Sequence, residues 1–249
     1  MKKYGKLMRV FMERPLAYDD DTESMVGTTD VYTQTKWGKL PPVNINVEDL
    51  TKWVDKQIED GVLVGHIVGK GATRQVEFND GKTIFKFNYS LQLGNQTRDE
   101  IETYYDVKDE WSDCIPKIYD HGLNWSVQEM ADNVDTGFVT HTLGVTSKFT
   151  LEGLNTTLQT LCTNMSKDIF SYEKLYSFPT YAKAKSYVEY ELGRAFYTPA
   201  LHELIWNKKF RRVMDFAYAN GFLWDFRFPN LGVIGDRVVM VDYGYGDKL

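Results

Sequence analysis

The apolar residues change their spacing part-way along the chain, and this change constrains the fold more than any other feature of the sequence. Between residues 62 and 130 they come in short β-branched and aromatic runs separated by turn residues. From residue 148 onward they recur at the 3.6-residue spacing of amphipathic helices. Patterns in this order predict an α+β fold in which a small antiparallel sheet precedes a helical part.

The first part is predicted to contain five strands and one polar helix, preceded by a capped helix. Asn46 can cap a helix that ends at Gly61. Asn79-Asp80-Gly81 is a hairpin signal between two strands, and the polar helix is predicted over 95–105. The predicted strands are 62–64, 76–78, 83–87, 115–119 and 125–130.

The second part is predicted to be mostly helical. Apolar stripes indicate helices over 151–165 and 184–196, and a third helix is predicted from Pro199 to Gly221. A two-strand hairpin is predicted around Gly235-Asp236. The expected domains are an N-terminal extension over 1–46, a sheet lobe over 47–131 and a reduced helical lobe over 132–249.

The composition excludes several classes of partner. The 249 residues include 29 basic and 35 acidic side chains, and a net charge of −6 is the wrong sign for a protein that grips phosphate backbones. Cys114 and Cys162 lack metal-site spacing, so we expect free thiols in a reducing compartment. The sequence shows no signal peptide and no 18-residue apolar run. We therefore expect a cytoplasmic protein that binds neither nucleic acid nor membrane.

A glycine pair lies at the first strand connection. Gly69 and Gly71, followed by Val76, would let backbone N–H groups approach a phosphate without an intervening Cβ. Glycines also serve any tight turn, so this pattern alone is weak evidence for a phosphate site.

A lysine and a glutamate follow in the next two elements. Lys86 lies in a strand among apolar neighbours, where it is either a snorkelling edge residue or an ammonium held for an anion. In the following helix the apolar spacing places Glu100 at the edge of the buried face and turns Glu102 outward. Glu100 is therefore the expected partner of a buried Lys86.

The segment 223–232 is the most informative part of the sequence. Asp225, Arg227 and Asn230 stand among Phe, Trp, Leu and Pro, a setting that excludes charge unless a site uses it. Asp242-Tyr243-Gly244 follows the last predicted strand. Two carboxylates and an amide on loops around one hairpin can converge on a divalent cation and a hydroxyl group.

Taken in order, these motifs resemble those of the protein-kinase-like superfamily over residues 68–244. The resemblance implies a two-lobed fold with a five-stranded antiparallel N-lobe and a short, mostly helical C-lobe. It also implies an ATP-dependent phosphotransferase with ATP and Mg²⁺ as cofactors. The matching motifs are the G-x-G at Gly69, Lys86, Glu100, Asp225-x-x-x-x-Asn230 and Asp242-Tyr243-Gly244.

The resemblance assigns the nucleotide-binding residues. Gly69, Gly71 and Val76 would enclose the nucleotide, while Lys86 would contact the α- and β-phosphates and Glu100 would orient the lysine. The hinge between the lobes would be residues 129–131. Its implied adenine contacts are the backbone groups of Glu129 and Ala131, with Gln128 as the gatekeeper.

The resemblance also assigns the residues of phosphoryl transfer. Asp225 in the catalytic loop would accept the proton of the acceptor hydroxyl, and Arg227 would stabilise charge on the transferring group. Asn230 and Asp242 would hold Mg²⁺. Both carboxylates and the amide are present in this sequence.

The sequence departs from the family pattern in several places. Arg74 replaces the third glycine, Leu223-Trp224 replaces the usual His-Arg, and Tyr243 replaces the usual Phe. The given sequence continues for seven residues after Asp242, so we expect no activation segment and none of the helices that dock peptides. This pattern resembles the minimal kinase-like proteins of bacteriophages and bacteria, which would place a viral protein in the host cytoplasm.

Three functions remain open on the sequence alone. The first is a minimal Ser/Thr-type protein kinase that acts on a host protein. The second is a pseudokinase that binds nucleotide and inhibits or scaffolds a host protein. The third is a small-molecule kinase of the aminoglycoside or choline type.

Overall fold

The computed structural model describes residues 40–61, 67–70, 74–78, 82–88, 95–193 and 195–243. The α-helices are α1 Val47–Glu59, α2 Gln96–Trp111, α3 Leu151–Ser166, α4 Tyr172–Tyr176, α5 Tyr181–Leu192, α6 Pro199–Trp206 and α7 Lys208–Ala219. The strands are β1 Ile67–Lys70, β2 Arg74–Phe78, β3 Thr83–Asn88, β4 Ile118–His121, β5 Trp125–Glu129, β6 Asp132–Asn133, β7 Leu231–Ile234 and β8 Arg237–Met240. Short helical turns cover Phe138–Thr142, Leu223–Asp225 and Phe228–Asn230. The α+β expectation is thus confirmed.

Strands β1 to β5 form one antiparallel sheet in the order β1-β2-β3-β5-β4. Lys86 in β3 lies opposite Ser126 in β5, and Phe85 lies opposite Val127. Because side chains alternate along a strand, Lys86 and Ser126 share one face while Phe85 and Val127 share the other. The first face meets α2, and the second is apolar and buried.

The apolar face of this sheet is covered by α1 and the segment before it. Asn46 caps α1 as predicted, accepting a hydrogen bond from the Asp49 N–H at 2.9 Å. Trp53 lies with its ring centroid 5.4 Å from that of Phe85. Just before α1, the Pro42 carbonyl accepts a hydrogen bond from Trp125 Nε1 at 3.2 Å. The end of the predicted N-terminal extension is therefore bound to the sheet.

Several predicted bounds differ from the structure. Helix α2 continues past residue 105 to Trp111, because Val107 extends its buried face. The helix predicted from Pro199 to Gly221 is two helices, since the Asn207 side chain accepts hydrogen bonds from the N–H groups of Lys209 and Phe210 and starts a new helix.

The predicted strands and turns can also be compared with the structure. Strand β4 begins at Ile118 rather than residue 115, following Pro116, which has no N–H to donate to a ladder. The hairpin β7–β8 turns at Gly235, which adopts a φ of 63°. The predicted strand 62–64 and the turn 79–81 lie outside the described residues.

The helical part is built around a core shared by α3, α6 and α7. Its members include Leu158, Leu204 and Phe216, each fully buried. Cys114 and Cys162 are buried free thiols. Within the described part of the chain we find no helix with the length and apolar character that crossing a bilayer requires.

Candidate active site

Lys86 and Glu100 form a buried ion pair between β3 and α2. Lys86 Nζ lies 2.7 Å from Glu100 Oε1, and the two side chains are 4% and 0% exposed. Glu102 instead pairs with Arg98 at 2.8 Å on the outer side of α2. The alternation of the strand and the apolar spacing of the helix therefore identified the correct glutamate.

A chain of hydrogen bonds connects this ion pair to the loop 223–232. Lys86 Nζ donates to the Val241 carbonyl at 2.6 Å. The Val241 N–H donates to the Asn230 carbonyl at 3.0 Å, and Asn230 Nδ2 donates to the Asp225 carbonyl at 3.0 Å. The structure thus brings together four residues that the sequence singled out separately. Val241, the connecting residue, was not predicted.

The loop that carries Asp225 is held by buried aromatic side chains. Phe226 and Phe228 are 0% and 5% exposed and pack on Phe210. The Phe228 N–H donates to Asn155 Oδ1 in α3 at 2.8 Å. Buried and partly exposed residues alternate here, which leaves Asp225 and Arg227 on the outer side of the loop.

The Asp225 carboxyl has a raised pKa. The main cause is burial, which disfavours the charged form; Arg227 opposes the shift, and the nearby Asp242 carboxylate adds to it. Arg227 Nε lies 3.0 Å from Asp225 Oδ1. A carboxylate whose pKa is raised toward neutrality is better suited to accept a proton than an ordinary surface aspartate.

Asp242 and Asn230 offer oxygen ligands of the kind that Mg²⁺ prefers. The amide nitrogen of Asn230 is used by the Asp225 carbonyl, so its Oδ1 is the atom suited to a cation. The described residues contain no cluster of three His, Cys, Asp or Glu side chains that could hold a metal. An Mg²⁺ ion with few protein ligands is ordinarily completed by water and substrate phosphates, and this donor set fits that pattern.

Tyr243 anchors the segment that carries Asp242. Its ring is 1% exposed and lies edge-on to Phe216, with centroids 6.1 Å apart. Its ring therefore lies among aromatic side chains. Gly244 lies outside the described residues.

Residues 129–131 cover the end of β5 and its connection to β6, and their role as a hinge remains a prediction. The sheet uses the N–H of Glu129, which donates to the Lys117 carbonyl, and the N–H of Met130, which donates to the Lys82 carbonyl, both at 2.8 Å. The sheet thus uses the N–H groups of both Glu129 and Met130.

The first two strands place the predicted loop residues beside Lys86. Gly69 in β1 lies opposite Val76 in β2, and Val76 lies opposite Lys86 in β3. Gly71 lies outside the described residues. The strand register thus agrees with a phosphate-binding role for this region, which remains a prediction.

An amide cluster fixes the N-terminal end of α2, and sequence reasoning missed it. Asn95 caps the helix, and its Nδ2 donates to the Leu123 carbonyl at 2.9 Å and to Asn124 Oδ1 at 2.8 Å. Asn88 in β3 also hydrogen-bonds Asn95. The cluster joins the strand of Lys86 to the helix of Glu100. The only sign of this cluster in the sequence was that asparagines occur at the ends of the strands and of the helix.

Gly232 in β7 is predicted to be required for the close approach of Ala131 and Val241. A Cβ at this position would lie 2.5 Å from Ala131 Cβ and 2.9 Å from Val241 Cγ1. We expect Gly232→Ala to lower the free energy of unfolding by about 1–3 kcal/mol through overpacking, measured by denaturant unfolding. Gly137→Ala is the control, since its φ of −63° suits alanine and its nearest neighbour is 3.3 Å away. Equal stability of the two variants would contradict this account.

Comparison with known proteins finds similarity among solved structures only. No family model and no curated protein matches the chain. A gentamicin complex of APH(2″)-IIa aligns with a TM-score of 0.37 and 13% identity over 82% of this chain and 71% of that one. The streptomycin–ATP ternary complex of APH(2″)-IIa aligns with a TM-score of 0.34 and 12% identity over 82% of this chain and 72% of that one. ADP-bound APH(2″)-Ib, an aminoglycoside phosphotransferase, aligns with a TM-score of 0.33 and 11% identity over 79% of this chain and 70% of that one. All three solved structures are similar to this chain only at low identity and with TM-scores below 0.4.

Proposed function

We propose that the protein is an ATP-dependent phosphotransferase that moves the γ-phosphoryl group of ATP to a hydroxyl acceptor. The observation that supports this most is the hydrogen-bond chain from Glu100 through Lys86, Val241 and Asn230 to Asp225. It connects a buried cation to the backbone of the residue whose carboxyl has a raised pKa, through residues from both parts of the chain. Phosphoryl transfer needs such a cation for phosphate charge and such a base for the acceptor hydroxyl.

In this proposal Lys86 neutralises charge on the nucleotide phosphates. Its ammonium is held in one place by Glu100 and the Val241 carbonyl, so little reorganisation is needed when a triphosphate binds. Glu100 is in turn held by Gln128 Nε2 at 3.2 Å. The lysine is therefore preorganised by three elements of the fold.

Asp225 accepts the proton of the attacking hydroxyl, and Arg227 beside it stabilises negative charge on the transferring phosphoryl group. Asn230 and Asp242 would hold Mg²⁺, which when bound neutralises phosphate charge and aligns the triphosphate. Burial raises the pKa of Asp225, which makes its carboxylate a stronger base than an ordinary exposed aspartate.

A pseudokinase is the weaker alternative. A protein that served only as a scaffold would gain nothing from keeping Asp225 in a setting that penalises its charge. Burying the Lys86–Glu100 ion pair also carries a desolvation penalty, which a protein that did not use the lysine cation would have no reason to keep. These costs favour a catalyst over a scaffold.

Nucleotide binding is tested by thermal unfolding. We expect ATP with Mg²⁺ to raise the Tm, because a ligand at a hundredfold excess over its Kd stabilises the folded state by about 2.7 kcal/mol. Asp242→Asn is expected to shrink this shift, because it removes a metal carboxylate. Asp236→Asn is the control, since that carboxylate lies at the exposed tip of the same hairpin and pairs with Lys209. No shift at millimolar ATP and Mg²⁺ would contradict nucleotide binding.

The acceptor is identified by incubating the protein with γ-labelled ATP. One reaction contains a cell lysate, and a second contains small hydroxyl compounds, including aminoglycosides and choline. Label on protein indicates a protein kinase, and label on a small molecule indicates a small-molecule kinase. Nucleotide binding without any transfer would overturn the catalytic proposal in favour of a scaffold.

A further inference from the structure

Helix α2 carries three neighbouring carboxylates, and charge alone does not decide which of them pairs with Lys86. Asp99 and Glu102 lie close to Glu100 in the same helix. The attraction between unlike charges depends on distance and has little directional preference, so a small slide or rotation of the helix would offer the lysine a different carboxylate. The observed pairing with Glu100 therefore requires another contact that fixes the helix on the sheet.

A second contact between β3 and α2 lies beside the ion pair. Thr97 Oγ1 donates a hydrogen bond to Asn88 Oδ1 at 3.0 Å, and both side chains are 0% exposed. Asn88 follows Lys86 by two residues, so their side chains share one face of the strand. Thr97 precedes Glu100 by three residues, so these two share one face of the helix. The strand and the helix are thus joined at two adjacent points, one ionic and one neutral.

Asn95 connects the neutral contact to the start of the helix. Its Oδ1 accepts hydrogen bonds from the Arg98 N–H at 3.0 Å and from Asn88 Nδ2. Its Nδ2 donates to the Leu123 carbonyl and to Asn124 Oδ1 in the β4–β5 turn. The Asn88 N–H also donates to the Asn124 carbonyl at 2.9 Å. Because hydrogen bonds depend on direction as well as distance, this cluster fixes both the start and the rotation of α2.

We propose that Asn88, Asn95 and Thr97 are positioning residues, which fix α2 on β3 and thereby select Glu100 as the partner of Lys86. This inference rests on the proposed function, in which the held ammonium binds nucleotide phosphates. Fixing the register of two packed elements is the best-supported use of buried polar groups. Without the cluster the ion pair can still form, but its position relative to the phosphates is no longer fixed.

The first test replaces Asn95 with serine. Serine caps helices about as well as asparagine, so the N-cap acceptor is retained, but the amide that donates to Leu123 and Asn124 is lost. We expect phosphoryl transfer to slow by about 10–10²-fold, as for a misplaced active-site group. The affinity for ATP should fall severalfold, while the affinity for adenosine, which has no phosphates, should be unchanged. Single-turnover rates and calorimetry measure these effects.

Asn207→Ser is the matched control, because Asn207 makes the same kinds of hydrogen bond at the start of α7. It caps that helix, and its Nδ2 donates to the Leu143 carbonyl at 2.9 Å. The decrease in Tm should therefore be similar in the two variants. The transfer rate and the ATP affinity of Asn207→Ser should equal those of the unmodified protein. An equal loss of transfer in both variants would indicate general destabilisation and overturn the inference.

The reactivity of Lys86 provides a second test, which needs no nucleotide. The Lys86 side chain is 4% exposed and ion-paired, so acetic anhydride should acetylate it far more slowly than Lys52, which is 66% exposed. Thr97→Val removes the hydroxyl that donates to Asn88 and should raise the acetylation rate of Lys86 severalfold. Thr97→Ser keeps the hydroxyl and should leave the rate slow. Mass spectrometry of peptides measures the rate at each lysine.

The outcomes separate this inference from the proposed function. An unchanged transfer rate in folded Asn95→Ser, or unchanged acetylation of Lys86 in folded Thr97→Val, would overturn the inference and leave the phosphotransferase proposal intact. If the unmodified protein does not bind ATP, the proposed function fails. Faster acetylation in Thr97→Val would then still support the role of the cluster in holding Lys86 on Glu100.

Discussion

Replacing Asp225 with asparagine is expected to lower the rate of phosphoryl transfer by about 10²–10⁴-fold while the affinity for nucleotide changes little. The substitution keeps the size of the side chain but removes the proton acceptor. It leaves the hydrogen bond from Asn230 intact, because Asn230 donates to the backbone carbonyl of residue 225. Single-turnover rates and nucleotide Kd values measure the two effects separately. Full activity in this variant would show that Asp225 is not the base.

The thermal stability of the Asp225→Asn variant serves as the control for its loss of activity. The pKa of Asp225 is raised in the folded state, so its charge weakens folding at pH values above that pKa, and the penalty disappears as pH falls below the ordinary value of 3.8. The amide introduced by Asp225→Asn carries no charge, so we expect a Tm near pH 7 that is equal to or higher than that of the unmodified protein. A loss of activity with an unchanged or higher Tm cannot be attributed to unfolding.

Replacing Lys86 with methionine is expected to abolish transfer and to lower the free energy of unfolding by about 3–5 kcal/mol. The substitution leaves the Glu100 carboxylate fully buried without its cation. The amide of Gln128 donates one hydrogen bond to it, which does not replace a full charge. Denaturant unfolding measures the loss. Arg98→Met breaks the partly exposed pair on the same helix and should cost only about 0.5 kcal/mol.

A double variant distinguishes the electrostatic cause from a simple packing defect. With Lys86→Met and Glu100→Leu together, no uncompensated charge remains, so most of the lost stability should return. Activity should not return, because the phosphate-binding cation is still absent. A double variant as unstable as Lys86→Met alone would indicate that packing, rather than the unpaired carboxylate, caused the loss.

The sequence was informative wherever function depends on side-chain type at a fixed spacing. Lys86 and Glu100 could be paired because strand and helix periods place both on buried faces. It could not show the Val241 carbonyl as the link between Lys86 and Asn230, because a backbone acceptor leaves no mark on residue identity. The amide cluster at Asn95 likewise depends on how β3 and α2 meet in space.

Some helix boundaries could be predicted from the sequence and others could not. The caps at Asn46, Asn95 and Thr198 follow known preferences for the first residue of a helix. The break at Asn207 escaped prediction because apolar spacing continues across it, from Leu204 and Ile205 to Phe210. Asparagine is a good N-cap, so Asn207 was the available signal. Local capping here overrides a continuous apolar stripe.

The attachment of the segment before α1 to the β4–β5 turn has a consequence for how the protein is made. Pro42 hydrogen-bonds Trp125, 83 residues later, and the Val43 carbonyl accepts from the Leu123 N–H. During synthesis from the N-terminus, helix α1 therefore leaves the ribosome well before the strand that covers it. The hydrogen bonds that attach Pro42 and Val43 to the β4–β5 turn can therefore form only after residue 125 has emerged.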